Sequence, residues 1–139
     1  MTTSIFVNLP VSDLEASKAF YTALGYEINP NFTDDTAACV VFSDTIYAML
    51  LTHDKFSEFT KHPIADTKNS TAAIVALSAE SREAVDELAN KALEAGGTET
   101  YEAQDLGFMY SRAFRDLDGH HWEILWMDDA AAQAGPPEH

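Results

Sequence analysis

Two side chains near the end of the chain have chemistry to offer: His121, an imidazole that titrates near neutral pH, and Glu123, a carboxylate two residues on. They lie in the stretch Asp116-Leu117-Asp118-Gly119-His120-His121-Trp122-Glu123-Ile124-Leu125-Trp126. Asp118-Gly119 tolerates positive φ and reads as a two-residue hairpin turn, so a strand follows it. Alternation along that strand sends His121, Glu123 and Leu125 to one face and Trp122, Ile124 and Trp126 to the other. Facing an apolar cleft, Glu123 is suited to act as a general base with a raised pKa, or to hold a cationic or hydroxylated ligand. Paired with Arg112 on the neighbouring strand, it is only structural. His121 either joins Glu123 in one polar patch or is a half-exposed hairpin histidine, and His120 reads as exposed. Asn8, on the first strand, either bonds a ligand or satisfies a strand carbonyl.

Other chemistries find no support. No nucleophile sits beside a base, no glycine loop is built to cradle phosphate, and no cysteine spacing suggests zinc. The single cysteine, Cys39, lies in an apolar run and reads as a buried, inert thiol. With 8 basic and 23 acidic residues the formal charge is −15. That balance excludes nucleic acid and anionic membrane as partners and is compatible with a cationic ligand. The N-terminal residues carry no basic segment leading into an apolar run, and no stretch is apolar enough to span a membrane, so the sequence predicts a cytoplasmic protein.

The elements that must position these residues follow in order. Ile5 to Val11 is a strand. Ser12-Asp13-Leu14-Glu15 reads as a capping box opening a helix with Ala16, Phe20, Ala23 and Leu24 on its apolar stripe and Gly25 as its stop. Strands are predicted from Tyr26 to Ile28, Ala37 to Phe42 and Ile46 to Thr52. Residues 54–70 form a connection with a short helical piece at Asp54 to Phe59. The pattern then repeats: a strand over Ala72 to Leu77, and a helix over Ser81 to Ala95 with Val85, Leu88, Ala89 and Ala92 on one face. Gly96-Gly97 stops that helix, and strands over Thr98 to Ala103, Gly107 to Phe114 and His121 to Met127 complete the repeat.

The fold class is therefore α+β, two β-α-β-β-β modules over about 3–53 and 71–128 within one domain, 1–129. Their uncovered sheet faces are expected to form a half-closed barrel with a concave cleft. Residues 130–139 are expected to be a disordered tail. Trp122 and Trp126 face the helices, and Tyr101, Phe108, Met109 and Tyr110 around Gly107 read as either a gate or a strand entering after a turn.

The run Leu9-Pro10-Val11-Ser12-Asp13-Leu14-Glu15 with Phe20-Tyr21 and Leu24-Gly25, followed late in the chain by Asp116-Leu117-Asp118-Gly119 and Trp122-Glu123, resembles the glyoxalase, bleomycin-resistance and extradiol-dioxygenase superfamily, the vicinal oxygen chelate proteins. The resemblance spans about residues 3–128 and implies paired modules, a concave active-site cleft and a homodimer. It also implies metal ligands, in the metal-dependent members, on the first and last strands of each module. Counted from the helix-start aspartate Asp13, those positions are Phe6, Leu50, Ile74 and Glu123. One carboxylate is too few for a divalent cation, so no cofactor is expected. A displaced metal site would use Asn8, His121 and Glu123, with a further ligand from His53, His62 or a dimer mate.

The sequence reading is thus a small-molecule-binding protein of that superfamily, acting by sequestration on an organic ligand that its acidity allows to be cationic. Its expected lining is Phe6, Asn8, Leu50, Ile74, His121 and Leu125 around Glu123. The alternative is a lactoylglutathione-lyase-like lyase or isomerase in which Glu123 moves a proton, with or without a divalent metal. A ligand sensor working through a separate partner protein is a third reading.

Overall fold

A computed structural model describes residues 2–134 and resolves the chain into two compact units that divide between Ser70 and Thr71. Each is a four-position sheet with a helix on one face, the α+β module pair that the sequence predicts. No helix among the described residues is long and apolar enough to cross a membrane.

In the first unit, β1 (Ile5–Val11) runs parallel to β4 (Ile46–Thr52), and β3 (Ala37–Val41) and β2 (Glu27–Asn29) continue the sheet antiparallel. The order β1-β4-β3-β2 puts the first and last strands side by side. Helix α1 (Leu14–Ala23) covers one face. Its N-cap is Asp13, whose carboxylate accepts the Ala16 N–H at 3.1 Å. The cap therefore falls one residue after the expected Ser12, because aspartate serves the same acceptor role. The buried stripe is Leu14, Ser17, Phe20, Tyr21 and Leu24, whereas Ala23, expected on it, is exposed. Gly25 stops the helix at φ 106°, a left-handed conformation that an L side chain resists. Against the helix lie Ala38, Val40, Ala48 and Leu50, all at 0 % exposure. A short helix, α2 (His53–Ser57), follows β4, capped by the Thr52 hydroxyl.

The second unit repeats the order. β5 (Ile74–Ser78) runs parallel to β9 (His121–Met127), and β8 (Met109–Arg115) flanks β9. Helix α3 (Arg82–Glu94) packs on β8 and β9, capped by Ser81, and buries Val85, Ala89 and Ala92. Trp122, Ile124 and Phe114 form its core, each at 2 % exposure or less, so Trp122 takes the helix side as alternation predicts.

Three expectations change here. The strand expected over 98–103 is broken into two pairs, β6 (Thr98–Glu99) and β7 (Gln104–Asp105), both against β8. The turn before β9 spans Asp116 to His120 instead of two residues. The Asp116 carboxylate accepts the N–H groups of Asp118 and His120, and Gly119 takes φ 87°. Finally, α4 (Asp129–Ala134) is a short helix with Ala131 buried, where an unstructured tail is expected; residues 135–139 lie outside the described residues.

Candidate functional site

In the second unit the strand register fixes what the open face carries. Ile74 pairs with His121, Ala76 with Glu123 and Ser78 with Leu125; on the other side His121 pairs with Arg115, Glu123 with Ala113 and Leu125 with Ser111. Paired residues point to one side of a sheet, so Ile74, His121, Glu123 and Leu125 share the face turned away from α3, as the sequence predicts. Arg112 does not share it. One register position off, it points to the helix side, where it meets Asp86 at 3.3 Å and Asn90 at 2.8 Å. The expected structural pair between Glu123 and Arg112 is therefore absent, because period-two geometry sends them to opposite faces.

What meets Glu123 instead is Tyr101. Four residues, 100–103, stand opposite only Arg112 and Ala113 between the paired ends of β6 and β7. Such a bulge re-aims side chains. Here it folds a short strap over the open face. Tyr101 lies close enough to Glu123 and to buried Ser111 for both to act on its hydroxyl, and burial, with the Glu123 carboxylate, raises its pKa above that of ordinary tyrosine. Its ring lies 6.3 Å from the His121 ring, and the Thr100 hydroxyl is 3.4 Å from His121 Nε2. Burial and the Arg115 cation lower the His121 pKa, against the pull of Glu123, which favours a neutral imidazole at pH 7. Arg115 is itself held by the Gly119 carbonyl and the Thr71 hydroxyl.

Sequence reasoning missed Thr100, Ser111 and Arg115, and it set Tyr101 only in the proposed gate around Gly107. Those aromatics separate: Tyr110 points to the helix side and donates to Asp86 at 2.6 Å. Only the parity of Ser111 and Arg115 with Glu123 was available to find the others.

The open face of the first unit is different in kind. Phe6 stacks on Tyr47 with centroids 4.8 Å apart and planes 9° apart, and remains 55 % exposed. Asn8 donates its amide to the Phe6 carbonyl at 3.2 Å, the bland role, and also borders a cavity of about 370 Å³ shared with Leu51, Phe56, Phe59 and Thr60. Leu50 is not on this face. It pairs with Leu9 and Ala38 and is wholly buried on the helix side, a correction of the expected lining. Since Phe6 pairs with Tyr47 as Ile74 pairs with His121, the first-module counterpart of Glu123 is Met49, opposite Asn8.

The four positions that the resemblance gives to metal ligands are then Phe6, Met49, Ile74 and Glu123. A phenyl ring, a thioether and an alkyl chain beside one carboxylate do not fit a hard divalent cation. Among the described residues no three His, Cys, Asp or Glu side chains gather as a metal-holding group. Cys39 is buried as expected, and burial pushes its thiol up.

Comparison with known proteins fits this architecture. The family described as bleomycin resistance protein-like N-terminal matches residues 3–43. A hypothetical protein from S. aureus is 32 % identical, with 91 % of this chain and 95 % of that one covered and a TM-score of 0.76. A glyoxylase/bleomycin resistance protein/dioxygenase domain from Frankia sp. is 26 % identical, covering 93 % and 94 % at a TM-score of 0.67. The fosfomycin resistance protein FosX from Listeria monocytogenes shares the fold at 18 % identity, covering 100 % and 95 % at a TM-score of 0.65. No curated protein matches the chain.

Proposed function

The chain belongs to the glyoxalase, bleomycin-resistance and dioxygenase superfamily, and from that premise we propose that it binds a small organic cation on the open face of its second sheet, without altering it. The observation that carries this reading is the environment of Glu123. The cation expected to neutralise it, Arg112, is engaged on the other side of the sheet; on the open face stand a phenol, an imidazole with a lowered pKa and, opposite that imidazole, Arg115, which is held by the Gly119 carbonyl and the Thr71 hydroxyl. A carboxylate flanked by an aromatic ring suits an ammonium or guanidinium group, which gains a charge-assisted hydrogen bond and a cation–π contact together. The net charge of −15 assists the approach of such a ligand. Ile74 and Leu125 offer apolar surface to its hydrocarbon part. Binding needs no cofactor, and the donor set at the superfamily's ligand positions suits none of the hard divalent metals. A homodimer in the cytoplasm is the form in which this reading places the protein.

The contact between Tyr101 and Glu123 favours one alternative, a lyase or isomerase in which Glu123 takes a proton from substrate carbon and Tyr101 steadies the developing oxyanion. One variant separates the two readings. Glu123→Gln keeps the shape and removes the charge. Sequestration predicts that organic-amine affinity measured by calorimetry falls about ten-fold to a hundred-fold, as expected for loss of a charged hydrogen bond, with no product formed by either protein. Proton transfer predicts turnover by the wild type that the variant loses while binding is largely kept. Unchanged amine affinity in folded Glu123→Gln contradicts the proposal.

A further inference from the structure

Arg82 stands at the first position of α3, the end of a helix at which a positive charge is disfavoured. Its contacts explain its presence there. Nη1 donates to Asp105 Oδ2 at 2.7 Å and Nη2 to Asp105 Oδ1 at 2.9 Å, a two-pronged pairing, and Nη2 also donates to the Gly107 carbonyl at 2.8 Å. The guanidinium lies 5.4 Å from the Tyr110 ring and 5.1 Å from the Trp126 ring. Asp105 in turn accepts the Gly107 N–H at 2.9 Å, closing a turn in which Gly107 takes φ 84°. Only a planar fork that can also lie against aromatic faces makes all of these contacts; a lysine ammonium does not.

The turn so gripped is the downstream end of the strap. Upstream, Thr98 and Glu99 are paired with Arg115 and Phe114. Between the two anchors, residues 100–103 have only two residues opposite them, and this stretch carries the Thr100 hydroxyl and the Tyr101 ring to His121, with Tyr101 near Glu123 and Ser111. A bulge fixed at one end alone has many conformations, whereas one fixed at both ends has few.

We propose that Arg82 is the positioning residue of the site: gripping Asp105 and Gly107 from the helix side of the sheet, it fixes the strap that holds Thr100 and Tyr101 against His121, with Tyr101 beside Glu123. The importance of that phenol for a ligand rests on the function proposed above, but the mechanical link does not. With the strap fixed, a phenol stands beside Glu123 before any ligand arrives, and an entering cation meets a placed aromatic ring. Releasing Arg82 sets the phenol free without touching Glu123, His121 or Ser111.

The test uses the full-length protein with no ligand. Isotope-labelled tyrosine gives five resolvable phenols by NMR, and Tyr101→Phe assigns the one in question. Arg82→Gln is expected to bring the Tyr101 titration down toward that of free tyrosine. It should also reduce amide protection at 104–107 about ten-fold or more, while protection in 46–52 and 121–127 is kept. Arg82→Lys should restore these only in part. Arg112→Gln, which breaks another ion pair between α3 and β8, should leave Tyr101 unmoved. Asp105→Asn breaks the same fork from the strap side and must free Tyr101 as well, which keeps the test decisive if Arg82→Gln does not fold. A wild-type Tyr101 titration in folded Arg82→Gln, or in folded Asp105→Asn, overturns the proposal, as does release of Tyr101 by Arg112→Gln. Because no ligand enters the measurement, its outcome stands apart from whether cation binding is found.

Discussion

The open faces of the two sheets occupy equivalent places in equivalent modules, yet they carry opposite chemistry. Where the first presents Phe6 beside Tyr47 and Asn8 beside Met49, the second presents Ile74 beside His121 and Ala76 beside Glu123. One is an aromatic and thioether surface with a neighbouring apolar cavity; the other gathers a carboxylate, an imidazole, a phenol and a hydroxyl. The helix-covered faces of the same sheets diverge less, since each has a buried apolar centre, Ala38, Val40, Ala48 and Leu50 in the first and Phe114, Trp122 and Ile124 in the second, where Tyr110 and Arg112 pair with α3 beside it. A repeated fold thus preserves what packing demands and leaves free what packing does not touch. The contrast extends to the second strand of each module. β2, at the far edge of the first sheet, is one short strand, while its counterpart at the edge of the second is split into β6 and β7 by the bulge that carries Tyr101 toward Glu123.

The largest effect that could break this comparison concerns register. If Met49 is the counterpart of Glu123, then Met49→Glu places a carboxylate on the open face and should cost about 1 kcal/mol at most. Leu50→Glu, one residue on, buries a charge against α1 and should cost roughly 4 kcal/mol or more. Urea unfolding compares them, and equal costs, or the reverse order, would show that the equivalence is misplaced.

How much of this was legible depends on how clearly each strand alternates. β9 reads His-Trp-Glu-Ile-Leu-Trp, with bulky aromatics on one parity and polar groups on the other, so its phase is plain from the sequence. β4 reads Ile-Tyr-Ala-Met-Leu-Leu, apolar at every position, and nothing in it distinguishes one face from the other. Leu50 was therefore assigned to the open face, and only pairing with β1, some 40 residues away in the chain, reveals that it lies on the other. The helix stops were legible because Gly25 and Gly96 are needed at positive φ. The strap was not, since a bulge arises from a mismatch between strands and leaves little trace in the polar run Thr98 to Asp105. Arg112 shows the limit from the other side: adjacency of strands was read correctly, and the face was not.

A smaller effect sharpens the electrostatic half of the comparison. His121 has a folded-state pKa below its ordinary value of 6.5, through burial and Arg115, with Glu123 opposing. The unfolded chain then binds the proton more readily, so the contribution of His121 to stability is whole above pH 6.5 and is lost as pH falls through the folded value. His121→Gln should flatten the stability slope just below pH 6.5, measured by unfolding at a series of pH values. A variant with the wild-type slope would remove His121 from the buried, charge-coupled group.

The account rests on binding at the second module's polar face, and the most direct measurement is amide and side-chain chemical-shift mapping during titration with a small aromatic-alkyl ammonium compound. The account predicts saturable shifts centred on Tyr101, Ser111, His121 and Glu123, lost in Glu123→Gln. Shifts centred instead on Asn8, Leu51, Phe56 and Phe59, unaltered by that substitution, would place the ligand in the cavity of the first module and contradict it.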